Sequence, residues 1–342
     1  MQRLFNRIVN LAIPLGLALL FSSSSAFAQY TLSNLVSNQA GQARNQDPLL
    51  VNAWGLAYSP GGAFWVSDEG TGWSTLYDGT GVPQSLQVVI PPATGTGAGS
   101  PTGMVYNASQ EFKVKGWPSI FLFATLDGTI SGWAPQSNPS ESIIAVNNPG
   151  AVYTALAITS KTSGNFIFAT DIANSKVDVY DGKFNFVTSF TDSTLPAGGF
   201  VPFGIQDIKG HLYVAFASAS GGSGGVIDIF TEAGVLQKHL IRGNPLNQPW
   251  GFAMAPGNFG KFSGALLVSN NTDSGTINAF NAQTGAFLGT LSDSKGNPLV
   301  IDQLWGIEFG GGTASNGRKN QLFFTAGPNN NVNGLFGLIS AN

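Results

Sequence analysis

One phrase recurs six times along this chain and restricts its fold more than any single residue does. A polar residue or proline leads into Trp-Gly-Leu-Ala or a relative of it, followed by a Gly-rich turn and an apolar-aromatic run. The copies begin Asn52-Ala53-Trp54-Gly55-Leu56-Ala57, Pro101-Thr102-Gly103-Met104-Val105, Tyr153-Thr154-Ala155-Leu156-Ala157, Val201-Pro202-Phe203-Gly204-Ile205, Gln248-Pro249-Trp250-Gly251-Phe252-Ala253 and Gln303-Leu304-Trp305-Gly306-Ile307-Glu308. Counted on the Gly or Ala at 55, 103, 155, 204, 251 and 306, the spacing is 47 to 55 residues. Each copy has room for four short strands. In the first they fall near Trp54–Ser59, Ala63–Ser67, Ser74–Tyr77 and Ser85–Ile90, separated by Pro60-Gly61-Gly62, Gly70-Thr71-Gly72 and Asp78-Gly79-Thr80-Gly81. Short, even strands at this period describe the blades of a β-propeller, here an all-β ring of six four-stranded blades.

The two ends of the chain fit closure of that ring. The sixth copy supplies Trp305–Phe309, Gln321–Phe324 and Leu335–Ile339 and then stops, one strand short. A spare strand, Tyr30–Val36, precedes the first copy and is expected to complete the sixth blade, leaving no open sheet edge between the ends. Before it, Arg3 and Arg7 lead into a mostly apolar run, Ile8 to Phe21, then Ser22–Ser25 and Ala26-Phe27-Ala28. That is the pattern of a secretory signal peptide over residues 1–28, cut before Gln29, with residues 29–342 forming a single propeller domain. The apolar run is shorter than the roughly 20 residues needed to cross a bilayer, so no transmembrane segment is expected after cleavage. The protein is expected to be secreted, whether extracellular or periplasmic.

Composition narrows the chemistry. A formal charge of −3, with only 10% charged residues, gives no electrostatic footprint for nucleic acid. With no cysteine, disulfides, thiolate nucleophiles and Cys-ligated metals are excluded, so packing and sheet pairing must hold the fold. Hydrophobic residues make up 43% of the chain, with 25 Phe and 7 Trp, which is ample for a core. Two histidines cannot furnish a four-histidine metal site; His211 and His239 are expected at a strand start and in an outer strand, in structural or solvent roles.

In an antiparallel blade the start of the innermost strand and the end of the second emerge on one face. Residues Asn52, Pro101, Val201, Gln248 and Gln303 would therefore ring a channel mouth together with Asp68, Leu126, Asp171, Ala217, Asn270 and Ala326. Asp127 lies one place beyond its register, and Glu69 sits beside Asp68. The ligand-binding candidates are Asn52, Asp68, Asp127, Asp171, Gln248, Asn270 and Gln303. Among them the oxygen ligands Asp68, Asp171 and Asn270 could hold a hard cation such as Ca²⁺, which could polarise an ester or lactone carbonyl. The competing reading is that Asp and Asn end strands by satisfying backbone N–H groups in turns. Trp54, Trp250 and Trp305 could stack on a flat ligand, although their repeat phase argues for packing between blades.

The phrases around Trp54, Phe64-Trp65-Val66-Ser67-Asp68 and Trp250 resemble an uncharacterised family of exported bacterial and fungal proteins, some with a carboxy-terminal PEP-type sorting segment. The resemblance spans the mature chain and implies the fold and export, without assigning catalytic residues. Pro202-Phe203-Gly204-Ile205, Ala169-Thr170-Asp171 and Val177-Asp178-Val179-Tyr180-Asp181-Gly182 more distantly resemble NHL repeats. NHL-like and gluconolactonase-like propellers include peptide or protein binders and calcium-dependent hydrolases that set Glu, Asn, Asn and Asp around one metal; Glu69 is one residue out of phase for that set. The expected function is a binding or scaffold propeller for a carbohydrate, peptide or protein partner. The alternatives are a Ca²⁺-type lactonase or esterase and a purely structural surface protein.

Overall fold

A computed structural model describes residues 30–341 apart from 162, 163 and 197; the expected signal peptide lies outside the described residues. Six sheets surround a central channel, as the repeat requires. Blade 1 is Ala53–Tyr58, Phe64–Asp68, Trp73–Tyr77 and Val88–Val89, in that order from the channel outward. Blade 2 follows as Pro101–Tyr106, Phe121–Thr125, Thr129–Trp133 and Ile143–Asn147, and blade 3 as Tyr153–Lys161, Gly164–Asp171, Lys176–Asp181 and Phe186–Phe190. Blade 4 is Phe200–Ile208, His211–Ser218, Gly225–Thr231 and Leu236–Arg242; blade 5 is Pro249–Met254, Leu266–Asn270, Ile277–Phe280 and Phe287–Thr290.

Blade 6 is assembled from both ends of the chain. Leu304–Phe309, Gln321–Ala326 and Leu335–Ala341 are completed by Tyr30–Ser37, which runs antiparallel to the last strand with Leu32 opposite Ile339 and Tyr30 opposite Ala341. A short parallel segment, Asn45–Gln46, extends this sheet to five strands. The Tyr30 hydroxyl donates to the Phe259 carbonyl at 2.9 Å and tethers the closing strand to blade 5.

The glycines of the repeat have a defined purpose. A Cβ on Gly55 would overlap the Thr102 carbonyl of blade 2, and one on Gly204 would overlap the Trp250 carbonyl of blade 5. At these glycines the innermost strand therefore approaches the next blade's backbone more closely than a side chain permits. Hydroxyls at the repeated second-strand position add an inter-blade tie: Ser269 Oγ donates to the Trp305 carbonyl at 2.6 Å, and Thr325 Oγ1 to the Trp54 carbonyl at 2.5 Å. Between blades the faces pack through aromatics, as where Phe64 of blade 1 meets Phe323 of blade 6 at 4.4 Å between ring centroids.

Candidate functional site

Residues immediately before the repeated Gly point to the axis, and their size decides which end of the channel is filled. They are Trp54, Thr102, Thr154, Phe203, Trp250 and Trp305. Trp54 stacks on Trp305 at 3.5 Å between centroids with 19° between the planes, and Trp250 meets both edge-on at 6.3 and 5.8 Å. Phe203 packs on Trp305 at 5.7 Å. The tryptophans thus pack chiefly on one another, as a plug across the ring, and less as separate wedges between blades. The indole N–H of Trp305 donates to Asn52 Oδ1 at 3.2 Å and that of Trp250 to the Thr154 carbonyl at 3.2 Å, which satisfies both inside the plug.

On the other side of the plug the channel opens into a cavity of about 360 Å³. Two places after the Gly, four blades carry small side chains, Ala57, Val105, Ala157 and Ala253, whereas blades 4 and 6 carry Gln206 and Glu308. Gln206, Asp207, Glu308, Tyr58 and Tyr106 supply the polar lining. Among the described residues Glu308 has no charged partner: burial alone pushes its carboxyl up to about 8, so it is largely protonated at neutral pH. Tyr58 donates its hydroxyl to the Phe309 carbonyl at 3.0 Å, and burial with the nearby Glu308 pushes that phenol up to about 12. The cavity therefore holds a neutral acid poised close to physiological pH beside a phenol that stays protonated.

The residues proposed from sequence lie outside this cavity lining. Asn52 bridges Trp305 and Glu69, donating to Glu69 Oε2 at 2.7 Å. Gln248 donates to the Ser218 and Gly222 carbonyls at 3.3 and 3.2 Å, and Gln303 to Asp273 at 2.7 Å. These three share a left-handed backbone, with φ of 47°, 49° and 49°, which turns each chain sharply into the innermost strand. Asp127 accepts from Thr125 and from the Ala93 amide. Asp171 accepts from the Val152 amide at 3.1 Å and from Asn174, and Asn270 joins the Asn247 amide to the Pro245 carbonyl. Turn satisfaction thus describes Asp127, Asp171 and Asn270. Asp68 differs: it is fully buried, and burial followed by the nearby Asp47 raises its carboxyl well above the usual range. Asp68, Asp127 and Asp171 do not converge as one group of carboxylates among the described residues.

The group able to coordinate a divalent cation such as Ca²⁺ lies elsewhere. Asp192, Asp228 and His239 place one ligand atom each within 4.8 Å of one another. Asp228 comes from the third strand of blade 4, His239 from its outermost strand, and Asp192 from the connection out of blade 3. His239 Nδ1 stands 3.0 Å from Asp228 Oδ1 and 3.4 Å from Asp192 Oδ2, and Arg242 Nη2 lies 3.2 Å from Asp192 Oδ2. Burial pushes Asp228 up to about 6; the same burial acts on Asp192, but hydrogen bonds from Thr194 and Arg242 outweigh it and hold that carboxyl low. Sequence reading placed His239 in an outer strand but missed its two carboxylates. The available signal was Val226-Ile227-Asp228-Ile229-Phe230, which repeats the Val177-Asp178-Val179-Tyr180 pattern of blade 3.

No family model matches the chain. Among solved structures, a streptogramin B lyase superposes with a TM-score of 0.56 at 13% identity, covering 93% of this chain and 100% of that one. A gluconolactonase from Xanthomonas campestris gives 0.55 at 13% identity, covering 85% and 86%. At such identity the likeness is one of fold alone, that of a β-propeller. A much nearer relative is the "Uncharacterized protein R648" of Acanthamoeba polyphaga mimivirus, 30% identical over 342 aligned positions that span 93% of this chain and 82% of that protein. The chain belongs to the same family as that mimivirus protein.

Proposed function

We propose that this protein is an exported propeller hydrolase that takes a small, uncharged ester or lactone into the channel cavity. The observation that carries the reading is Glu308, a carboxylic acid with no charged partner among the described residues, facing a 360 Å³ cavity and raised to about 8. Keeping a carboxyl protonated at neutrality supplies a general acid that an ordinary glutamate is not. In the proposed step Glu308 donates its proton to the departing ester oxygen as water adds to the carbonyl carbon, and the resulting carboxylate recovers a proton from that water. Tyr58, held by Phe309, fixes one wall of the cavity beside the acid. Export rests on the basic, apolar and Ala-Phe-Ala pattern of residues 1–28. The fold shared with a gluconolactonase is one that hosts ester and lactone chemistry, without assigning a substrate.

A binding propeller for a carbohydrate or peptide is the second reading, favoured by the aromatic and polar lining and by histidines that lie away from the cavity. Turnover of a panel of aliphatic lactones and esters by the wild type and Glu308→Gln separates the two. The hydrolase reading expects a loss of 10²- to 10⁴-fold in kcat/KM, of the order that general-acid groups contribute. Equal turnover by both proteins would overturn it, and ligand capture without turnover would establish the binding reading.

A further inference from the structure

Blade 4 departs from the other blades at one repeated place. Third strands carry a buried polar residue two positions before an aromatic one: Thr75, Ser131, Asp178, Asp228 and Asn278. In four blades this side chain closes on hydroxyls, an amide, a carbonyl or a single lysine, and among the described residues none of the four joins a cluster of carboxylates with a histidine. Thr75 donates to Tyr77 at 2.8 Å, Ser131 meets Ser142 at 2.8 Å, Asp178 accepts from Tyr153 and pairs with Lys176 at 2.8 Å, and Asn278 accepts from Thr290 at 2.7 Å. Asp228 instead gathers a second carboxylate and an imidazole, and its own Oδ2 is buried with no hydrogen-bond partner.

We propose that Asp192, Asp228 and His239 form a binding site for zinc or a similar first-row divalent cation, with Arg242 as its built-in competitor. The separations of 3.0 and 3.4 Å from His239 Nδ1 to the two carboxylate oxygens match the edge of about 3.3 Å of a tetrahedron with bonds near 2.0–2.1 Å. An imidazole nitrogen with two carboxylates suits zinc, whereas calcium prefers roughly six to eight oxygens. Arg242 lies against His239 Nδ1 and both carboxylates, where a cation would sit, and its side chain is 41% exposed, so it can swing into solvent. A bound ion would tie the outermost strand Leu236–Arg242 to its neighbour and to the incoming connection. The site is separate from the channel cavity, so it stands or falls independently of the hydrolase reading.

The test is calorimetric titration of the EDTA-stripped mature chain with ZnCl₂ and with CaCl₂, alongside thermal melts. One equivalent of Zn²⁺ is expected to bind, at least tenfold tighter than Ca²⁺, with a higher Tm. Arg242→Gln should tighten Zn²⁺ binding at least tenfold, and His239→Gln, at a half-exposed position that does not threaten the fold, should abolish it. Failure of both the wild type and Arg242→Gln to bind Zn²⁺ would overturn the site, as would binding unaltered by His239→Gln. Tighter binding of Ca²⁺ than of Zn²⁺ would overturn the proposed class of metal.

Discussion

Glu308 and the four axial aromatics show how much single repeat positions can change. Small residues two places past the repeated Gly or Ala, of which Ala57, Val105 and Ala157 line the cavity, leave space at that level, and Glu308 brings an acid into it. Its raised carboxyl has a consequence for stability. The unfolded chain releases this proton near 4.5 and the folded chain near 8, so the folded state binds more protons between those values and loses stability as pH rises through that window. At about 1.4 kcal/mol per pKa unit the penalty should approach roughly 5 kcal/mol above pH 8. Urea melts at pH 5 and pH 9 should show Glu308→Gln without that component of the slope; an identical slope in both proteins would contradict the assignment. Within the plug, Trp305→Ala removes a ring packed on Trp54, Trp250 and Phe203 and leaves Asn52 Oδ1 without its donor. We expect a cost of about 3–5 kcal/mol by urea denaturation, and a loss below 1 kcal/mol would show that the plug does not hold the ring together.

At the scale of strands, the pairing of Tyr30–Ser37 with Leu335–Ala341 carries the greatest load, because without it the last blade presents a bare edge. A chain beginning at Asn38 should aggregate on size-exclusion chromatography, where the full mature chain elutes as a single species; an unaggregated, equally stable truncation would contradict the closure. This pairing was legible from counting alone, since the sixth copy lacks a strand and the amino terminus has one to spare. First and second strands were legible for a related reason, because Gly and the hydroxyl residues recur in phase. Outer strands were less so. Ser85–Ile90 was expected as a strand, but only Val88–Val89 pairs, since the preceding stretch returns as a turn in which Gln84 bonds to the Leu76 carbonyl. Of the Asp192–Asp228–His239 group only Asp228 was legible, at the repeated third-strand position, because Asp192 comes from a loop and His239 from an outer strand whose registers the repeat does not encode.

For the whole molecule, the ring converts a one-dimensional repeat into two unlike channel ends. Topology correctly brings residues before the Trp-Gly phrase and after the second strands to one face, yet bulk decides whether that face is open. Four aromatics just before the Gly fill it, and the smaller residues beyond the Gly leave the cavity on the opposite side. The alternation of large and small was present in the sequence; what it lacked was the direction in which each side chain leaves a bulged strand, such as the shift between Ala53 and Leu56. The functional account therefore rests on the open end and its acid. The chain has five glutamates, 69, 111, 141, 232 and 308, so carbon-detected NMR on glutamate-labelled protein, assigned by the Glu308→Gln variant, can follow each carboxyl. The Glu308 signal should titrate with a midpoint near 8. A midpoint in the ordinary range, near 4.5, would mean that the cavity holds no neutral acid and would contradict the account.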